Sequence, residues 1–176
     1  LNQVPSAIWR DVVYVNLSSQ AAPFEDKAAA LRCRWAEFEQ DLYFGGDESY
    51  FELNVACNWK LAVENYCEAY HLPFVHPSLN AYSRLEDHYN ILDDTSYAGQ
   101  GSHVYAPQIS DDGLQFAAFE KLSEKWDKAA EYCAFFPNVL YGVHKDHAFA
   151  IVLVPTGQKT TVERIALYYA DQQMLT

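Results

Sequence analysis

Apolar side chains recur along this chain in two rhythms, and each predicts an element. Phe24, Ala28, Leu31, Trp35, Phe38 and Leu42 fall at alternating spacings of four and three, with Glu25, Asp26, Glu37 and Glu39 off the stripe. That pattern predicts one amphipathic helix, closed by Gly45-Gly46-Asp47. Phe51, Leu53 and Val55 alternate with Glu52 and Asn54, as in a half-buried strand. Upstream, residues 4–17 are rich in β-branched and aromatic side chains and predict one or two strands, followed by the turn-rich Ser18-Ser19-Gln20-Ala21-Ala22-Pro23.

The second half of the chain is read the same way. Residues 77–112 are the least regular part, with polar turns at Asp93-Asp94-Thr95-Ser96 and Gly99-Gln100-Gly101-Ser102. Residues 114–128 predict a second helix, with Phe119, Leu122 and Trp126 on one side. Residues 134–143, 147–154 and 160–170 are β-rich runs joined by turn signals at Lys145-Asp146 and Pro155-Thr156-Gly157-Gln158, which predicts an antiparallel meander. The expected fold class is α+β, a curved antiparallel sheet packed on helices.

Composition narrows the function. With 176 residues, half of them apolar, the chain can bury a core of its own. Twelve Lys and Arg face 24 Asp and Glu, a formal net charge of −12 with no basic cluster, so nucleic acid is not an expected partner. Apolar runs such as residues 149–154 fall far short of the ~20 residues that cross a bilayer, so no membrane partner is expected either. Cys33, Cys57, Cys67 and Cys133 form no Cys-x-x-Cys or Cys-x-His pair, which argues for a reduced, cytoplasmic protein without a zinc ribbon or an iron–sulfur cluster of its own.

The chemistry concentrates in residues 58–77, where two histidines, two glutamates and two asparagines stand in an otherwise apolar, aromatic segment. Buried polar groups need partners. From Trp59 to His71 the chain is mostly compatible with helix, which would set Glu64, Glu68 and His71 on one face and pair Lys60 with Glu64. His76 lies five residues beyond His71, off that face, but Pro73 predicts a kink or restart near Leu72 that swings it back. Two imidazoles and a carboxylate make the facial triad of non-haem Fe(II) oxygenases, whereas zinc hydrolases more often show His-Glu-x-x-His, so iron is favoured.

The run Asn-Trp-Lys-x-x-x-Glu-Asn-Tyr-x-Glu-x-Tyr-His-x-x-x-x-His-Pro, from Asn58 to Pro77, resembles the mononuclear-iron motif of Rieske-type oxygenase α subunits, which include aromatic ring-hydroxylating dioxygenases and monooxygenases of choline, carnitine and glycine betaine. Residues 136–144, Phe-Pro-Asn-Val-Leu-Tyr-Gly-Val-His, resemble a strand of that catalytic domain, and residues 9–17 the end of the Rieske domain. The resemblance implies a helix-grip (Bet v 1/START-like) catalytic domain over residues 23–176, preceded by a Rieske-domain remnant and linker over residues 1–22. It makes His71 and His76 ligands of a mononuclear Fe(II), Glu68 the acid that bridges a ligand histidine to the Rieske [2Fe-2S] cluster of a neighbouring subunit, and Asn65 a neighbour of the iron that does not bond it. It implies dioxygen and a small organic substrate, aromatic or quaternary ammonium, to be hydroxylated or demethylated. Electrons would come from an NAD(P)H-dependent reductase or ferredoxin, in a homotrimer or α3β3 assembly.

Two features depart from the family pattern. The Cys-x-His and Cys-x-x-His ligands of the [2Fe-2S] cluster are absent from this chain. The third iron ligand, a late carboxylate, is expected beyond Thr176, since Asp146 and Asp171 stand at strand ends or turns. The chain is therefore expected to be an incomplete catalytic domain, inactive alone. A helix-grip domain that binds ligand without catalysis is the alternative, and a zinc hydrolase a weaker third. Among the remaining candidates, His144 and His147 are expected in a solvated hairpin tip. His88 and His103 either face substrate or pack. Tyr66, Tyr70, Tyr82, Tyr97 and Tyr105 either cage a quaternary ammonium group or fill the core.

Overall fold

In the computed structural model, residues 3–93, 96–105 and 116–172 are described. The chain opens with a hairpin of Ser6–Trp9 (β1) and Val12–Val15 (β2). Its two loop residues, Arg10 and Asp11, both take positive φ, the geometry whose twist suits a two-residue hairpin loop. The hairpin docks through Trp9, whose ring meets Phe135 and Tyr141 edge-on, and through a 2.7 Å hydrogen bond between the Tyr14 and Tyr141 hydroxyls.

The stripe that begins at Phe24 is the core face, as expected: Ala28, Leu31, Trp35 and Phe38 are all buried. The helix is shorter than its periodicity predicts. Phe24–Arg34 (α1) stops at Trp35, and Ala36–Phe38 continues as a single 3-10 turn. A tighter turn still stacks residues three apart, so Trp35 and Phe38 keep one face without a longer α-helix. Tyr43–Phe44 (β3) follows, then Tyr50–Val55 (β4), Trp59–Cys67 (α2), Leu72–Val75 (α3) and Pro77–Asn80 (α4).

The region expected to be least regular holds two strands, His88–Leu92 (β5) and Tyr97–Ser102 (β6). Its polar and glycine-rich composition hides them: Gly101 is required because a Cβ there would run into the Tyr89 ring on the neighbouring strand. The helix predicted over residues 114–128 is not formed where the chain is described. Residues 114 and 115 lie outside the described residues, and only Glu124–Asp127 coils, as a 3-10 turn that buries Trp126. The run at 134–143 divides at Pro137 into Ala130–Phe135 (β7) and Val139–Val143 (β8), after which His147–Gly157 (β9) and Thr160–Tyr169 (β10) complete the meander.

Eight strands form one antiparallel sheet in the order β3-β10-β9-β8-β7-β6-β5, with β4 also on the free edge of β10. Both faces of its centre are covered. Cys133, Phe135, Val139, Tyr141, Ala148 and Ala150 face α1 and the hairpin, while Ala134, Leu140, Ile151 and Leu153 face α2. That double burial is why β8 reads as a continuous apolar run rather than an alternating one. β4 is different: Phe51 and Leu53 are 41% and 47% exposed, so the alternation does not mark a buried face there.

Glu131, at 0% exposure, fixes the α1 face to the sheet. Its carboxylate takes two hydrogen bonds from Arg34 (2.7 and 3.0 Å), one from the Trp35 indole (2.7 Å), one from the Tyr89 hydroxyl (2.7 Å) and one from Lys125 (3.2 Å). Burial alone would raise its pKa, but the bonds from Arg34, Tyr89 and Trp35 outweigh it and hold the carboxyl below its ordinary value. No helix among the described residues is long and apolar enough to cross a membrane.

Candidate functional site

Asn58 starts α2 as its N-cap, its side-chain oxygen accepting from the Lys60 backbone N–H at 3.0 Å. The helix packs onto the sheet through Trp59, Ala62, Val63 and Tyr66, and the Tyr66 hydroxyl donates to the Tyr141 carbonyl at 2.9 Å. The expected Lys60–Glu64 ion pair is not formed; the Lys60 ammonium lies 5.8 Å from the Trp59 ring centre instead.

The helix ends at Cys67, four residues earlier than the sequence suggests, because Glu68 turns into extended geometry (φ −125°, ψ 160°). Glu68, Glu64 and His71 therefore do not share a helical face. Glu68 meets His71 through a turn: one carboxylate oxygen accepts from the backbone N–H of Tyr70 and of His71 (3.3 Å), and the other lies 2.6 Å from His71 Nδ1. Satisfying successive N–H groups at the start of a turn is what a cap does, so one side chain both begins the turn and grips the imidazole. The chain restarts as α3 with Pro73 inside its first turn, as the proline predicts. The break brings His71 and His76 together, with ring centres 5.3 Å apart and planes at 77°.

Where Nδ1–H donates to Glu68, His71 Nε2 keeps its lone pair, and the Asn65 amide nitrogen, 3.3 Å from Nε2 and 2.9 Å from Nδ1, can donate only to Nε2, a position that a metal would take over. The two imidazoles can thus supply two neighbouring nitrogen donors. Among the described residues no group of three or more His, Cys, Asp or Glu is placed to hold a metal ion.

The turn that carries Glu68 is braced from behind by Gln100, which the sequence did not single out, and through it by His88. Gln100 on β6 donates to the Glu68 carbonyl at 2.9 Å and faces the Tyr66 carbonyl at 3.4 Å, which ties off the C-terminal end of α2. Its own carbonyl oxygen lies 2.8 Å from His88 Nδ1, and His88 Nε2 lies 3.0 Å from the Ser83 hydroxyl. His88, one of the ambiguous histidines, is therefore both a brace and part of the cavity wall, whereas His103 stacks on Tyr89 away from it.

His71 and His76 open on a cavity of about 710 Å³ between α2 and the sheet, within the range of small-molecule sites. Of the five tyrosines considered for a cage, Tyr66 and Tyr105 line it; Tyr82 meets the Tyr105 ring edge-on without lining it, Tyr97 is in the core and Tyr70 stands in solvent. Tyr132 and Phe149 add two further rings that the sequence reading did not name. Among the described residues the lining holds no lysine or arginine, and its one carboxylic acid is Glu163, raised above its ordinary pKa by burial.

The His144–His147 turn is not solvated. His144 is 3% exposed, stacks on His147 with ring centres 4.1 Å apart, and lines the cavity. His147 Nδ1 pairs with Asp146 at 2.7 Å. The signal for this burial is the uninterrupted apolar run of β8, which delivers the chain to residue 144 under cover on both sides.

A family model described as ring hydroxylating alpha subunit (catalytic domain) matches residues 35–175. The fold is also that of a quaternary ammonium Rieske monooxygenase described for carnitine oxidation by gut microbiota, at TM-score 0.70 and 19% identity over 96% of this chain and 43% of that one. The same monooxygenase, CntA, in complex with L-carnitine matches at TM-score 0.70 and 17% identity, over 96% and 42% of the two chains. Naphthalene 1,2-dioxygenase from Rhodococcus sp. bound to indole matches at TM-score 0.67 and 15% identity, over 96% and 45%. This chain spans less than half the length of each. A sequence search among curated proteins gives no match.

Proposed function

The chain belongs to the ring hydroxylating alpha subunit (catalytic domain) family, and on that premise we propose that it is the part of a Rieske-type oxygenase that holds a mononuclear Fe(II) through His71 and His76. The observation that supports this most is their convergence at one wall of the cavity, across a helix break, with Glu68 fixing the tautomer of His71. The arrangement fits two imidazole donors of a facial triad, whose carboxylate would come from outside the described residues. When bound, the iron supplies activation of dioxygen for hydroxylation or demethylation of a small organic substrate.

The chain's own residues have three tasks in this reading. Glu68 holds the His71 ring and, in an assembled oxygenase, bridges it to the [2Fe-2S] centre of a neighbouring subunit, which is reduced by an NAD(P)H-dependent reductase or ferredoxin. Asn65 stays beside the His71 ring without bonding the metal. The Tyr66, Tyr105, Tyr132 and Phe149 rings enclose substrate, aromatic or quaternary ammonium, and keep bulk water away from the reacting carbon. Residues 1–22 act as the end of the Rieske domain and its linker, and residues 23–176 as catalytic domain.

A cavity that binds ligand without metal is the second reading, supported by the size and largely apolar lining of the cavity, which can hold a small molecule with or without iron. Anaerobic Fe(II) titration of the chain separates the two. Weak, saturable binding that disappears in both His71→Ala and His76→Ala supports the iron site; binding indifferent to both substitutions removes it.

A further inference from the structure

His144 stands out because both of its ring nitrogens, Nδ1 and Nε2, are buried without a hydrogen-bond partner among the described residues. Leaving such a group unpaired costs roughly 1–3 kcal/mol, so a fold that keeps one against a cavity implies a partner that is sometimes there. The ring is held firmly. It stacks on His147 at 4.1 Å and meets Tyr105 at 4.7 Å, Tyr132 at 5.3 Å and Phe149 at 6.0 Å between ring centres. The ring lies in the same cavity wall as His71 and His76, and because both nitrogens are closed to water, a partner from the cavity reaches one of them only through a small local shift of that wall.

We propose that His144 is a substrate-positioning residue, whose imidazole hydrogen-bonds an uncharged oxygen or nitrogen function of the substrate and so aims the remainder of the molecule at the His71 and His76 side of the cavity. A neutral imidazole offers one donor and one acceptor, which matches a hydroxyl, carbonyl or amide. Burial drives the His144 pKa far down, with the neighbouring His147 adding to the effect, so the ring stays neutral. A carboxylate would find no lysine or arginine among the described residues of the lining to replace its hydration. The inference rests on reading this cavity as the oxygenase substrate site, but it does not require iron to be bound.

The test uses the iron-free chain and a pair of near-isosteric probes, 4-methylphenol and p-xylene, which differ by a hydroxyl in place of a methyl. His144→Phe should lower the preference for 4-methylphenol over p-xylene by at least about fivefold, as expected for one buried hydrogen bond, while His144→Gln, which keeps a donor and an acceptor, should retain most of it. In the unaltered chain the ring ¹⁵N resonances of His144, identified by their loss in His144→Gln, should move on adding 4-methylphenol and stay put with p-xylene. A preference unchanged in His144→Phe, ring resonances indifferent to bound 4-methylphenol, or 4-methylbenzoate binding as tightly as the phenol overturns the proposal. Failure here leaves the Fe(II) titration of His71 and His76 unaffected, and failure of that titration leaves these probe affinities unaffected.

Discussion

Glu68 Oε1 lies 2.6 Å from His71 Nδ1 although the two residues share no helix. The contact is made by a turn that Glu68 itself caps, with Gln100 holding the Glu68 carbonyl from the sheet. Local backbone and imidazole are thus fixed by one side chain, which makes Glu68 the most sensitive point of the proposed iron site outside its ligands.

Replacing Glu68 with Leu should lower Fe(II) affinity by about 10- to 100-fold, the usual loss when an outer partner of a ligand histidine is removed. Glu68→Gln, whose amide oxygen still accepts from Nδ1–H, should lose less. Anaerobic titration with Fe(II) measures both, and equal affinities across the three proteins would mean that Glu68 does not orient His71.

Arg34→Met should destabilise the fold by about 3 kcal/mol, because it strands the fully buried Glu131 carboxylate with only Lys125 for charge. The pH dependence follows from the lowered folded pKa of Glu131. Its stabilising contribution is complete above the ordinary Glu range, near 4.3, and is lost as pH falls from there through the folded value. Urea unfolding at stepped pH should show Arg34→Met weaker at neutral pH and unfolding at a higher pH than the unaltered chain.

Those two networks differ in how far the sequence announces them. The α1 face is legible because Ala28, Leu31, Trp35 and Phe38 keep helical spacing whether the backbone is an α-helix or a 3-10 turn, but Glu131 is one acid among many until the sheet brings it to Arg34 and Tyr89. At the site, Pro73 signals the restart of the helix correctly. The stop at Cys67 carries no such signal, since Glu68 is a fair helix former whose side chain does more as a turn cap. β5 and β6 are hidden by Gly99, Gly101, Gln100 and His88, residues that serve close packing and a hydrogen-bond chain rather than strand propensity. His144 looks like part of a solvated tip until both faces of β8 are known to be covered.

The neutral, buried state of His144 also has a thermodynamic signature. Its folded pKa lies well below the ordinary value, so above pH ~6.5 folded and unfolded chains bind the same number of protons at this residue, and below it only the unfolded chain takes one up. Stability should therefore fall between about pH 6.5 and 5, by up to ~1.4 kcal/mol per pH unit from this residue alone. His144→Gln should flatten that slope in urea titrations at pH 7, 6 and 5. An unchanged slope would mean that the ring is already protonated, or reaches water, in the folded protein.

Leu153 and Leu53 offer a matched comparison between the two sides of the sheet. Leu153 is 0% exposed between β9 and α2, and Leu153→Ala should cost about 2–5 kcal/mol through lost burial and the cavity left behind. Leu53, 47% exposed on the uncovered edge strand, should cost about 0.5 kcal/mol or less in the same substitution. Chemical unfolding of both variants at several protein concentrations checks the pair. If Leu53→Ala proves as costly as Leu153→Ala, then something covers β4 in solution. A cost that grows with protein concentration would identify the cover as a second copy of the chain, since a stability shared between chains follows mass action and one set within a chain does not.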